Sequence, residues 1–258
     1  MFATLRKLFV KCGNSDDIAR YYDNHTSDYI AVGGDVIQAY RPTRTDELLG
    51  YLVASIGLMD GMRVLDAGCG VGGPAIDFAK RLNISIDGIT ISEVQAKLAC
   101  EKIASQGLSD RIKIRVGDYA KLGSIYKMQS FDAVIFLESL GHSADPVKPI
   151  RSAFEVLKPG GFIYIKDYFQ RLSYRLQEQL DIDEVVGNIN ANYCYNTLDL
   201  NEVITALRST GFEIQVIKKP ELLSDFSYTQ SFEDRVKIKT FTKHLPAVDW
   251  LEIKCTRS

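Results

Sequence analysis

The sequence predicts a doubly wound α/β fold with a helical cap, on three observations. From about residue 63 short β-branched runs alternate with helical stretches, the pattern of a parallel sheet covered by helices on both faces. The first of these runs passes into its helix through a glycine-rich turn, Gly68-Cys-Gly-Val-Gly-Gly73. Residues 173–199 then break the alternation with a polar stretch in which Tyr and Asn are interspersed, and this reads as an inserted cap.

Taken in order, Arg63-Val64-Leu65-Asp66 is a strand, and Pro74 opens a helix at a position where its missing N–H is harmless. Ser85-Ile-Asp-Gly-Ile-Thr90 is the second strand. The helix after it begins at Ser92, with Ser92 and Gln95 at capping-box spacing. Ile112-Lys-Ile-Arg-Val116 and Phe131-Asp-Ala-Val-Ile-Phe136 follow. A helix over 146–157 leads through Lys158-Pro-Gly-Gly161 to Phe162-Ile-Tyr-Ile-Lys166. A helix over 200–209 stops at Gly211, Phe212-Glu-Ile-Gln-Val-Ile217 is a strand, and the alternating run from Val248 to Cys255 is expected to form a final edge strand. The expected organisation is one domain over 1–258, with a helical lid at 1–45, a ligand-binding core at 46–170, a cap at 171–210 and C-terminal strands at 211–258.

Composition narrows the function. The chain has 258 residues, 46% hydrophobic and 25% charged, enough for a sizeable core. Its 31 Lys+Arg are spread among 33 Asp+Glu, giving a net charge of −2, so no basic stripe offers itself to nucleic acid. Cys12, Cys69, Cys100, Cys194 and Cys255 are scattered, without CxxC spacing. This argues against a disulfide framework and against a zinc site, and fits a reducing cytoplasm. The segment Met1 to Val10 is too short and charged for a membrane span and lacks a signal-peptide h-region. As an amphipathic helix it would suit packing on a second copy of the chain, so a homo-oligomer is expected and stable membrane insertion is not.

Gly68, Gly70 and Gly73 match the GxGxxG spacing of dinucleotide sites, so a nicotinamide or flavin enzyme is one reading. Two features count against it. Asp66 stands where it would repel a pyrophosphate but welcome an ammonium, and the next strand ends in Thr90-Ile91-Ser92 where a ribose-binding acid is expected. At the end of the following strand, Gly117-Asp118-Tyr119 offers a carboxylate to an exocyclic amine. All three segments fall at carboxyl ends of strands, where open α/β sheets bind ligands.

In order and spacing, residues 64–73, 88–95, 117–119, 131–142 and 158–162 resemble the motif series of class I S-adenosylmethionine-dependent methyltransferases. The resemblance implies a Rossmann-like seven-stranded sheet, with Gly68 and Gly70 against the methionine tail, Asp66 on its ammonium, and Asp118 with Tyr119 at the adenine. Gly88-Ile89-Thr90-Ile91-Ser92 with Gln95 looks like the sterol, tocopherol and cyclopropane-fatty-acid branch. There Thr90 and Gln95 would take the ribose and Ile91 would pack on the adenine. Ala19-Arg-Tyr-Tyr-Asp23 resembles that branch's lid helix, and Tyr21 is the expected lid tyrosine, although Tyr21 or Tyr22 could equally form a plain helix face.

The run Phe136-Leu137-Glu138-Ser139-Leu140-Gly141-His142 closes the fourth strand, which in this fold delivers its last residues to the transferring methyl. Leu137 would lie against the cofactor. Adding a methyl cation to an alkene leaves a carbocation, which needs a carboxylate, aromatic faces and finally a base. Glu138 and His142 suit those tasks, and Glu-Ser-x-x-His resembles sterol C-methyltransferases. Asn188-Ile-Asn190-Ala-Asn-Tyr193-Cys194 resembles the corresponding stretch of geranyl diphosphate C-methyltransferase, which implies a ring at Tyr193 against the cation and a pocket-shaping Asn190. That family's diphosphate-binding segment is not found. Arg41 with Arg44, or Arg171 with Arg175, could grip a diphosphate, and only then would Mg²⁺ take part. The expected function is S-adenosylmethionine-dependent C-methylation of an isoprenoid double bond. O- or N-methylation of a small natural product is the alternative, and a non-catalytic cofactor-binding subunit stays open.

Overall fold

The computed structural model describes residues 14–258. The amphipathic helix expected over residues 1–10, and Cys12, lie outside them. Two helices, α1 (Ser15–Gly33) and α2 (Thr45–Ile56), precede the sheet. The core runs β1 (Arg63–Ala67), α3 (Gly73–Arg81), β2 (Ser85–Thr90), α4 (Glu93–Ser105), β3 (Ile112–Val116), the short α5 (Leu122–Ile125), β4 (Phe131–Leu137), α6 (Val147–Val156) and β5 (Leu157–Gln170). Then come α7 (Leu176–Asn192), α8 (Leu200–Thr210), β6 (Phe212–Lys218), α9 (Ser227–Val236) and β7 (Val248–Arg257).

The seven strands form one sheet in the order β3-β2-β1-β4-β5-β7-β6. The first five are parallel, and β7 runs antiparallel to both β5 and β6. The C-terminal run expected at an edge is therefore interior: β7 pairs with β5 from Val248 to Thr256 and with β6 from Glu252 to Arg257, so β6 and β3 are the edges. The alternation of that run reads as an edge strand because its outer residues Val248 to Leu251 remain partly exposed, while the middle is fully covered.

β1 and β4 sit at the centre, and both are buried on each face, which is why their sequences are near-continuous apolar runs. One core layer joins α6 and α8 to the sheet through Ile150, Ala153, Val203 and Leu207. The other joins α2, α3 and α4 through Leu52, Ile56, Phe78 and Ile103. Each such side chain contributes roughly 1.5–3 kcal/mol by leaving water. A third cluster seats α7 on the far end of β5 through Ile182, Val185, Ile189, Tyr168 and Tyr195. The cap is thus a helix of the 171–210 segment with its own small core.

Local signals behave as their chemistry requires. Ser92 accepts the N–H of Gln95 and caps α4 (3.0 Å), but the box is not completed, because the Gln95 carbonyl oxygen accepts from Thr90 Oγ1 instead (2.8 Å). Asp199 caps α8, which ends at left-handed Gly211. The segment 219–247, unassigned from sequence, carries α9, and α9 packs beside α1. Among the described residues, Cys69, Cys100 and Cys255 carry free thiols. No described helix is long and apolar enough to cross a membrane.

Strand order reverses between β1 and β4, and the crevice outside their carboxyl ends is where this class of sheet places its ligand.

Candidate active site

A cavity of about 300 Å³ fills that crevice, within the range of small-molecule sites. Its floor is the turn after β1. Gly68, Gly70 and Gly72 all have positive φ, and a Cβ at Gly68 would stand 2.4 Å from the Cβ of Ser139. Only glycine lets this loop pass under the end of β4. Asp66, Gly68, Gly70, Thr90, Ile91, Gln95, Asp118, Tyr119 and Leu137 all line the cavity.

The polar atoms there are unevenly satisfied. Asp66 is 2% exposed, its Oδ2 has no partner in the protein, and burial pushes its carboxyl up to about 7. Thr90 Oγ1 holds the Gln95 oxygen, which leaves Gln95 Nε2 buried and also without a protein partner. Asp118 accepts from the Ala120 N–H (2.8 Å) and from Ser15 Oγ on α1 (3.1 Å). The Tyr119 hydroxyl donates to the Ser139 carbonyl (2.7 Å), and burial keeps that phenol protonated. An orphaned carboxylate oxygen at one end and an orphaned amide N–H beside Thr90 are the complement of a ligand carrying an ammonium and hydroxyls.

Helix α1 closes over the cavity. Asp23 accepts from Ser92 Oγ (2.5 Å) and from the Val94 N–H (3.4 Å), so a carboxylate sits on the N-terminus of α4. Of the two adjacent tyrosines, Tyr22 lines this cavity, whereas Tyr21 is not part of its lining and shares a hydrogen bond with Tyr29 (2.8 Å).

A second cavity of about 60 Å³ shares Tyr22, Ile37, Gln38, Glu138 and His142 with the first. Six tyrosines and Phe232 line it. Tyr29 stacks on Phe232 at 3.9 Å, and Tyr168 stacks on Tyr195 at 4.5 Å. A Cβ at Gly141 would collide with the Tyr195 ring at 2.0 Å, so glycine is needed for the ring to pack. Tyr193 reaches this wall with its hydroxyl donated to Glu233 (2.9 Å). Asn190 does not. Its side-chain oxygen accepts from the Thr197 N–H and Oγ1 (both 2.8 Å), fixing the turn after α7, so it shapes the cap and lines neither cavity.

Glu138 stands between the cavities with φ at 58°, a strained conformation for a residue with a side chain. It forms a buried ion pair with Lys166 on β5 and accepts the Ala39 N–H (2.6 Å). Burial raises its carboxyl even against these partners. Lys166 gives its remaining N–H groups to Gln38 Oε1 and the Tyr40 carbonyl (both 3.0 Å). The pair therefore staples segment 38–40 to the sheet. His142 Nδ1 faces the Cys194 carbonyl (2.9 Å), which can only accept, so Nδ1 carries the proton. Nε2 is then the acceptor for the Tyr22 hydroxyl (2.6 Å), and burial pulls the imidazole down to about 4, leaving it neutral.

The arginines do not face these cavities. Arg41 donates to the carbonyls of Gly33 and Val36 and to Thr45, Arg44 pairs with Asp46, and Arg171 with Asp249. Arg175 is the exposed N-cap of α7. Among the described residues no group of three His, Cys, Asp or Glu is placed to hold a metal.

A profile of the methyltransferase domain matches residues 58–218. The chain belongs to the methyltransferase domain family. The chain is 34% identical over 165 residues to a sterol 24-C-methyltransferase of Gibberella zeae, a match covering 64% of this chain and 42% of the relative. It thus spans less than half the length of that relative. In fold it resembles the 4+2 cyclase SpnF (TM-score 0.79, 22% identity, 96% and 98% covered). It also resembles geranyl diphosphate C-methyltransferase from Streptomyces coelicolor A3(2) (TM-score 0.71, 17% identity, 95% and 97% covered).

Sequence reasoning missed Lys166, Gln38, Tyr29, Tyr228 and Phe232. Of these only Lys166 carries a signal, a lysine followed by an acid at the end of an apolar strand run.

Proposed function

We propose that this chain transfers a methyl group from S-adenosylmethionine to a carbon–carbon double bond of an isoprenoid or terpenoid acceptor. The observation that carries the reading is the aromatic cavity that shares a wall with the donor cavity. The likeness to sterol and terpenoid C-methyltransferases supports it.

Bound S-adenosylmethionine would supply an electrophilic methyl group. Asp66 would hold its ammonium, the backbone at Gly68 and Gly70 its methionine tail, Thr90 and Gln95 its ribose, and Ile91, Asp118 and Tyr119 its adenine, with Leu137 alongside. Transfer needs alignment above all, which a closed α1 would provide while excluding water. The alkene's π pair would form the new C–C bond as the S–CH3 bond breaks, its electron pair staying on sulfur to give S-adenosylhomocysteine, and a cation would be left on the neighbouring carbon. The faces of Tyr193, Tyr195 and Tyr168 would stabilise that cation. Loss of an adjacent proton restores the double bond. His142, neutral and lining both cavities, would take it on Nε2 once the Tyr22 hydroxyl yields. Although weak, this base suffices for so acidic a proton. Glu138, tied to Lys166, would act by holding segment 38–40 as the partition and by its field. In this reading α1 is the lid, residues 46–170 are the donor-binding core and α7 is the cap, with α8, β6, α9 and β7 closing the fold.

The test is a mass-spectrometric transfer assay with prenyl diphosphates, prenyl alcohols, prenylated aromatics and sterols. A product heavier by one methylene, with the label on carbon, supports the proposal. Label on oxygen or nitrogen overturns it.

A further inference from the structure

The inference concerns what the acceptor carries beside its double bond, and it rests on reading the aromatic cavity as the acceptor's site. Gln38 is 3% exposed and lies on the wall common to both cavities. Its amide has one defensible orientation. Lys166 Nζ can only donate, so Gln38 Oε1 faces it at 3.0 Å and Nε2 is turned the other way. That Nε2 is buried and has no partner in the protein. On the same aromatic wall the Tyr228 hydroxyl and Thr229 Oγ1 are also buried without a protein partner.

Charges around this wall are already matched. Lys166 is committed to Glu138, Gln38 and the Tyr40 carbonyl. The guanidinium of Arg41, lying over the Tyr228 ring at 4.9 Å, is committed to two carbonyls and Thr45. Asp167 accepts from Tyr195 and the Tyr168 N–H, and Glu233 from Tyr193. A diphosphate would find no uncommitted cation among these residues, and an ammonium no uncommitted carboxylate. What the wall offers is one N–H and two hydroxyls in an aromatic box.

We propose that Gln38 Nε2 donates to an uncharged oxygen on the acceptor, so that the acceptor is an oxygenated isoprenoid (an alcohol, ether or ketone). Gln38 is then a specificity-determining residue. A bare hydrocarbon would cover this donor without satisfying it, at a cost of about 1–3 kcal/mol, or roughly tenfold to a hundredfold in affinity.

The experiment compares binding of geranylacetone, an isoprenoid ketone, with its analogue in which a methylene replaces the carbonyl oxygen. Binding is measured calorimetrically in the presence of S-adenosylhomocysteine. The wild-type chain should prefer the ketone by at least about tenfold. Gln38→Glu keeps an oxygen for Lys166 but replaces the N–H with an acceptor, and should erase the preference by weakening the ketone alone. Gln38→Met, which removes the donor, should also bring the ratio near one. Equal wild-type affinities, or a preference that survives both variants, would overturn the proposal, and the wild-type ratio needs no variant to fold. Methyl transfer is read separately. Ketone preference that Gln38→Glu abolishes, with no methylated product from any alkene, leaves the Gln38 assignment standing and removes the methylation reading. Transfer without ketone preference does the reverse, and failure of both compounds to bind overturns both.

Discussion

The donor cavity and the aromatic cavity share a wall but are built in opposite ways. The donor cavity takes its floor from the carboxyl ends of β1, β2, β3 and β4, short local segments whose place is fixed by the sheet, with α1 and residues 35–38 closing over them. The aromatic cavity draws on α1, the 37–39 strap, β5, the turn after α7, and α9, which come together only through tertiary packing. The donor side keeps polar atoms open for a ligand, as at Asp66 and Gln95. The aromatic side neutralises its charges internally and keeps its aromatic faces and a few hydrogen-bonding groups. A site that must hold one invariant cofactor can be written into strand ends. A site that sets acceptor choice is built from the parts of the fold that vary most freely.

The largest effect that would sharpen this contrast is at the partition. Lys166→Met leaves Glu138 buried and unpaired and should cost about 3–5 kcal/mol in denaturant unfolding, with much of the loss recovered when Glu138→Gln is added. If the two changes simply add, the ion pair is not what holds segment 38–40.

Next in size, Asp66→Asn should weaken S-adenosylhomocysteine about tenfold to a hundredfold in calorimetry while leaving acceptor-side binding intact. The same carboxyl sets a pH dependence. Its folded-state value near 7 lies above the ordinary 3.8, so below about pH 7 the folded protein carries a neutral acid that attracts an ammonium poorly. Cofactor affinity should therefore drop as pH falls through 7 and should level off in Asp66→Asn. A wild-type profile flat from pH 6 to 8 would separate Asp66 from the ammonium.

His142 has the opposite sign. Its folded value near 4 lies below the ordinary 6.5, so the unfolded chain binds more protons between those limits, and stability falls as pH drops from about 6.5 to 4. Replacing it with Gln should flatten that limb of the pH–stability curve, and an unchanged limb would locate the acid sensitivity elsewhere.

The smallest effect separates two adjacent tyrosines. Tyr22→Phe removes the donor to His142 and should cost about 1 kcal/mol and alter the pH profile of transfer, whereas Tyr21→Phe should leave that profile unchanged. Matching profiles for the two variants would remove Tyr22 from the site.

By itself the sequence determined the α/β alternation, the glycine turn and which residues line the strand-end cavity, because strand burial and strand-end position are local. Asp66, Gly68, Thr90 and Asp118 are placed by their distance from an apolar run, and that distance is countable. Tertiary structure alone decided the rest. Tyr21 and Tyr22 are neighbours in sequence, yet successive helical residues point about 100° apart, and only the docking of α1 selects which one meets His142. Asn190 looks equivalent to Tyr193 within its motif, but the turn after α7 claims its side chain. Val248 to Arg257 carries no mark of being interior until β6 lies against it. Gln38 and Lys166 are 128 residues apart, and what makes them a pair is the buried Glu138 between their segments, a relation no local pattern encodes.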